Sequence, residues 1–149
     1  MKVYLAGSFA YKDQTKTKSH QQQLEQAAQI LKSKGLEVYL PQELHIHNAW
    51  DYTPSEWGLM IFTHDVIEID KSDILVMLSW GKENNAGSAW EVGYAFGTGK
   101  KVIVVGLTDE IESVMMLHGS YAQVKGMKGL KAYDFATMPK SRELLGEQS

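Results

Sequence analysis

Short apolar runs of strand length recur at residues 3–6, 36–40, 74–78 and 102–105, and the segments between them carry apolar residues at helical spacing. Strands alternating with helices in this way predict a parallel sheet covered by helices on both faces. The first helix is expected over residues 18–34, stopping at Gly35, because glycine readily takes the left-handed conformation that closes a helix. Thr53-Pro54-Ser55-Glu56 has capping-box spacing with proline at the first helical position, so a second helix should open there and run to about residue 71. Ser88-Ala89-Trp90-Glu91 opens a third, ending near residues 97–99, and residues 109–117 read as a fourth. Past Gly119 the pattern fades. No repeat, linker or low-complexity stretch divides residues 1–149, so one domain is expected.

Composition narrows the function. At 149 residues the chain supports one core. Its formal charge is -3 and no stretch gathers Lys or Arg, so the footprint of a nucleic-acid binder is missing and a small-molecule substrate fits better. The absence of cysteine removes a disulfide framework, a thiolate metal site and a cysteine nucleophile together. The apolar run at residues 1–7 is too short for a signal peptide, and no later run approaches membrane-spanning length, so no membrane association and a cytoplasmic location are expected.

Ligands of open parallel sheets bind in the crevice outside the carboxyl ends of the strands, which directs attention to residues 7–12, 41–50, 79–91 and those from 106 onward. Glu91 follows the loop at residues 81–87 and falls in the expected first turn of its helix, where the dipole favours an ionised carboxylate. Such a carboxylate suits attack on an anomeric carbon, although Ser88-x-x-Glu91 equally fits a purely structural capping box. Asp65 interrupts a helical face that carries Ile61 and Ile69 four residues to either side. Burial there would raise its pKa and suit a proton donor, whereas a place at the edge of the stripe would leave it solvated. Trp50, Trp57, Trp80, Trp90, Tyr4, Phe9, Tyr11 and Tyr52 crowd the expected crevice, where rings either stack on nucleobases or fill core. His45 and His47 alternate as in an extended segment but lack acidic or cysteine partners at ligand spacing, which favours a hydrogen-bonding role over a metal site. Gly97-Thr98-Gly99-Lys100 ends a helix and is followed by Lys101, so it is a turn and no phosphate loop. Nor does Ala6-Gly7-Ser8-Phe9-Ala10 carry the glycine fingerprint of a dinucleotide site.

Lys2-Val3-Tyr4-Leu5-Ala6-Gly7, the Asp65 helix running into Ser72-Asp73-Ile74, and Gly87-Ser88-Ala89-Trp90-Glu91-Val92-Gly93-Tyr94-Ala95 together resemble the nucleoside 2-deoxyribosyltransferase family. The likeness continues to Tyr133-Asp134-Phe135-Ala136-Thr137-Met138-Pro139, with residues 65–105 its specific part. It implies an α/β single domain with a five-stranded parallel sheet and helices on both faces, flavodoxin- or Rossmann-like, assembled as homo-oligomers whose pockets are shared between subunits. No metal or organic cofactor is implied. By resemblance Glu91 is the nucleophile that forms a glycosyl ester, Tyr4 holds it, and Asp65 gives a proton to the departing base. His45 stands where many transferases carry a base-reading glutamine, and Trp57, Gly87 and Ser8 fall among the expected substrate contacts. Asn85 replaces an aspartate that usually meets the sugar 5′-hydroxyl, and Ser113 replaces an asparagine lent by the neighbouring subunit.

These neutral residues would let a 5′-phosphate approach without like-charge repulsion, and Gly7-Ser8 likewise looks like the related 2′-deoxynucleoside 5′-monophosphate N-hydrolases. Base exchange between deoxynucleosides is therefore the first expectation, and release of free base from a 5′-monophosphate the alternative. A nucleotide-sensing module would need an inert Glu91, and a flavodoxin-like electron carrier finds no flavin-binding loop in the sequence.

Overall fold

The computed structural model describes residues 1–8, 13–83, 85–110 and 112–147. The candidate aromatics Phe9 and Tyr11 and the loop residue Asn84 lie outside them. Five strands, β1 (Lys2–Ala6), β2 (Glu37–Tyr39), β3 (Ile74–Ser79), β4 (Lys101–Gly106) and β5 (Ala122–Lys125), form one sheet in the order β2-β1-β3-β4-β5, and every pairing is parallel. Helices α1 (Gln14–Ser33) and α5 (Gly126–Ala132) cover one face, while α2 (Pro54–Lys71), α3 (Ala86–Gly97) and α4 (Val114–His118) cover the other. The expected α/β class and two-faced covering are thus what the chain forms. Strand order reverses between β1 and β3, and such a switch point is where this architecture opens a ligand crevice.

Alternation along each strand assigns side chains to the two faces. Val3, Leu5, Val76, Leu78, Ile103 and Val105 pack against Leu24, Ala27 and Leu31 of α1 and Leu130 of α5. Tyr4, Ala6, Leu75, Met77, Val102 and Val104 point the other way, toward Ile69 of α2, Val92 and Ala95 of α3, and Met116 and Leu117 of α4. Tyr4 is the polar member of that second set and is fully buried. Gly7, at the end of β1, has no room for a side chain, since a Cβ would come within 2.9 Å of Leu24 Cδ2 and 3.3 Å of the Trp80 ring.

Element ends differ from the sequence expectations for local reasons. α1 begins four residues before the expected start, because the Asp13 side chain caps it by accepting from Thr15 N and Lys16 N, and a polar first turn has no apolar rhythm to reveal it. It closes as expected at Gly35, whose φ is 82°. α2 carries the anticipated capping box, Thr53 Oγ1 accepting from Glu56 N at 3.2 Å while Glu56 accepts from Thr53 N at 3.2 Å. The fourth helix is only Val114–His118, because Glu112 turns into the interior and Ser113 is the N-cap, accepting from Met115 N. β5 and α5 lie where the apolar pattern had faded. No helix among the described residues is long and apolar enough to cross a membrane.

Candidate active site

α3 corrects the structural reading of Ser88-x-x-Glu91. Its N-cap is Asn85, so Ser88 is already helical and buried, and no capping box forms around Glu91. Glu91 is the sixth residue of the helix and sits in its second turn, beyond the strongest effect of the dipole. Its environment is dominated by burial. Enclosure raises its pKa from 4.5 to about 7, a hydrogen bond from Tyr4 opposes the rise, and the nearby Asp65 charge adds to it.

Tyr4 of β1 donates its hydroxyl to Glu91 Oε2. Burial first, then the Glu91 charge and that hydrogen bond, push the Tyr4 pKa far above the phenol range, so it remains a donor at any working pH. Asp65 of α2 shares with Glu91 a cavity of about 330 Å³, walled also by Ile61, Phe62, Gly87 and Trp90. Its pKa is raised by burial, partly opposed by a hydrogen bond from Tyr39 and by His64. The Tyr39 hydroxyl lies 3.4 Å from Asp65 Oδ1 and 3.0 Å from His64 Nδ1, and its ring centroid is 5.4 Å from that of Tyr4. β1 and β2 pair Tyr4 with Tyr39 in register, which is how two residues far apart in sequence flank one carboxylate pair.

The cavity therefore joins two carboxyl groups, one of them backed by the buried Tyr4 hydroxyl, and both hold their protons more tightly than in water. Two carboxylates in one apolar pocket titrate as a pair, and the singly protonated form offers a nucleophile and a proton donor at once. Gly87 forms part of the same wall. Trp57 is one residue from the lining residue Gly58, with 44% of its surface exposed. His45 is exposed in the segment between two short 3-10 turns, Pro41–Glu43 and Ala49–Asp51, and does not line the cavity. Ser8 is half-buried after β1, its carbonyl accepting from His20 Nδ1 at 3.0 Å. No group of three or more His, Cys, Asp or Glu among the described residues could hold a metal ion.

Asn85 and Ser113 meet on the other side of α3, lining a separate cavity of about 670 Å³. Between them lies Glu112, a buried carboxylate that the sequence reading passed over. It accepts from Ser79 Oγ at 2.6 Å, Asn85 Nδ2 at 2.9 Å and Ser113 N at 3.0 Å. A buried carboxylate thus lies beside the neutral residues at positions 85 and 113. Tyr39, His64 and Glu112 were all missed, and only His64, beside Asp65, carried any signal in the sequence.

The sequence profile described as nucleoside 2-deoxyribosyltransferase matches residues 3–134. A nucleoside deoxyribosyltransferase of Lactobacillus johnsonii is 34% identical over 83 residues, which cover 54% of this chain and 55% of that protein, so the match spans about half the length of the curated relative. A solved 2-deoxyribosyltransferase of Bacillus psychrosaccharolyticus superimposes with a TM-score of 0.81 at 27% identity, covering 95% of this chain and 98% of its own. A Clostridium botulinum CMP N-glycosidase shares the fold at a TM-score of 0.56 and 19% identity, over 85% of this chain and 89% of its own. With the profile matched over most of its length, the chain belongs to the nucleoside 2-deoxyribosyltransferase family, whose enzymes cleave N-glycosidic bonds.

Proposed function

We propose that the protein cleaves the N-glycosidic bond of 2′-deoxynucleosides through a glycosyl ester on Glu91 and transfers the deoxyribosyl group to a second nucleobase. The observation that carries this reading is that Asp65 and Glu91 line one apolar cavity, with Tyr4 donating to Glu91 from the core behind it and both carboxyl pKa values raised. A Glu91 oxygen attacks C1′ and forms the ester while the bond from C1′ to the base nitrogen breaks. The departing base takes the bonding electrons, and protonated Asp65 gives it a proton. An incoming base then attacks C1′ with its nitrogen, the ester breaks, and the proton returns to Asp65. Tyr4 donates to one Glu91 oxygen throughout and fixes the other for attack.

The cavity's outer rim supports an assembled form. Phe62 and Trp90, with ring centroids 5.1 Å apart, are half exposed, and Trp90 stacks on Tyr94. Leu59, Phe96, Val114 and Met115 are more exposed still. Apolar surface on this scale marks an interaction face, which we assign to copies of the same chain. A cytoplasmic location fits the absence of cysteine.

The test is a product assay with one deoxynucleoside, with and without a second free base. Transfer predicts a new deoxynucleoside formed faster than free deoxyribose. Free sugar released at the same rate whether or not a second base is present would overturn the transferase reading in favour of hydrolysis.

A further inference from the structure

Tyr39 of β2 meets three polar neighbours. Its ring lies tilted beside that of Tyr4, with centroids 5.4 Å apart, because β1 and β2 pair the two residues in register. The His64 ring centroid is 5.7 Å away, and the Tyr39 hydroxyl lies 3.0 Å from His64 Nδ1 and 3.4 Å from Asp65 Oδ1. A phenol has one proton to give, so it cannot serve both acceptors at once. It donates to Asp65 when His64 carries a proton on Nδ1 and donates in turn to the Tyr39 oxygen. The hydrogen bonds then run from His64 through Tyr39 and end on a carboxyl group in the wall of the cavity that holds Glu91.

We propose that Tyr39, oriented by His64, is a positioning residue that stabilises the carboxylate Asp65 becomes when it gives up its proton. The proposal rests on the N-glycosidic reading given above. As the base departs, the O–H bond of Asp65 breaks, an N–H bond forms on the base, and the electron pair stays on the carboxylate. That charge appears in an apolar cavity, where a fixed donor is worth more than in water. A hydrogen bond to an anion is stronger than one to the neutral acid, so the contact tightens as the proton leaves and favours the transition state over the ground state. Donation to Oδ1 also leaves Oδ2 as the oxygen that carries the acid proton. Among the described residues, the other ionisable groups around Asp65 are Glu68 of the same helix, paired with Lys2 at 2.6 Å, Tyr4 of β1 and Glu91 of α3. Tyr39→Phe leaves each of them in place and removes one hydroxyl.

The experiment measures kcat/KM for a natural 2′-deoxynucleoside and for an activated aryl deoxyriboside with the unmutated protein, Tyr39→Phe, His64→Leu, and Tyr39→Phe on top of Asp65→Asn. Tyr39→Phe should lose about 10- to 100-fold on the deoxynucleoside and little on the aryl deoxyriboside, whose leaving group needs no proton. His64→Leu, which deprives Tyr39 of its donor, should show the same selective loss in smaller measure. Added to Asp65→Asn, Tyr39→Phe should cost nothing more. Without a hydrogen bond that holds the Asp65 pKa down, the alkaline limb of the kcat/KM profile should move to higher pH, since it marks loss of the last proton of the carboxyl pair. A merely structural Tyr39 would lower both substrates alike, add its loss to that of Asp65→Asn, and leave the limb where it was. Equal losses on the two substrates in either single variant, or an undiminished rate in Tyr39→Phe, overturns the proposal alone. Turnover of neither compound by the unmutated protein overturns the N-glycosidic reading, and the Tyr39 proposal falls with it.

Discussion

Leu24, Ala27 and Leu31 of α1 close one face of the sheet with at most 2% of their surfaces exposed, whereas on the other face α2 and α3 leave Leu59, Phe62, Trp90 and Phe96 between 48 and 65% exposed. The closed face is built almost wholly from aliphatic side chains on β1, β3 and β4 against α1 and α5. The open face places Tyr4 inside its core and Asp65 and Glu91 at its edge. Burying polar groups costs stability, and the raised pKa values of both carboxyls record that cost. One face therefore supplies the stability from which the other sustains a strained electrostatic arrangement, and the two should respond differently to mutation.

Glu91→Gln should give the largest functional effect, a loss of roughly 10⁴- to 10⁶-fold in kcat with substrate binding retained, because the amide keeps the shape and removes the nucleophile. The same substitution should stabilise the protein at alkaline pH. With a folded pKa of about 7 against an ordinary 4.5, Glu91 binds its proton more tightly in the folded state, so its contribution is fully present below pH 4.5 and is lost as pH rises through 7. Chemical denaturation should show Glu91→Gln matching the unmutated protein below pH 4.5 and exceeding it above pH 7, by up to ~3 kcal/mol. Leu31→Ala on the closed face should do the reverse, costing ~2–5 kcal/mol with little change in kcat/KM per folded molecule. If both variants lose activity and stability in the same proportion, the contrast between the faces fails.

Asp65→Asn sharpens the division within the open face. A positioned proton donor contributes ~10²- to 10⁴-fold, so the variant should lose about that much with a natural deoxynucleoside and far less with an activated aryl deoxyriboside, whose leaving group needs no proton. Equal losses on the two substrates would reduce Asp65 to a structural or binding residue.

The first four strands and the first three helices were legible because their apolar positions repeat at the spacing of a buried face, as in residues 74–78 and 102–105. The fifth strand was not, since Gln123 sits at its centre and the run is only four residues long. In the site, Asp65 drew attention as a carboxylate on an apolar helical face and Glu91 as one in the expected first turn of a helix beside the crevice, and the family resemblance gave them roles. Tyr39 stayed hidden because only the parallel register of β1 and β2 brings it beside Tyr4. Glu112 was hidden for a similar reason: among Asp109, Glu110 and Glu112 nothing local distinguishes the one that turns inward, and its donors come from β3 and α3. Sequence patterns report an element's own face, whereas charge pairing across elements is a property of the assembled sheet.

The central claim is that Glu91 carries the sugar. Incubation with a 2′-fluoro deoxynucleoside, whose electron-withdrawing fluorine slows breakdown of the ester, followed by digestion and peptide mass measurement, tests it directly. The result expected is the added mass of the fluorinated sugar on the peptide that contains Glu91, lost again when a second base is supplied, and absent from Glu91→Gln. Turnover of the natural substrate with no sugar ever attached to that peptide, or an undiminished rate in Glu91→Gln, would contradict it.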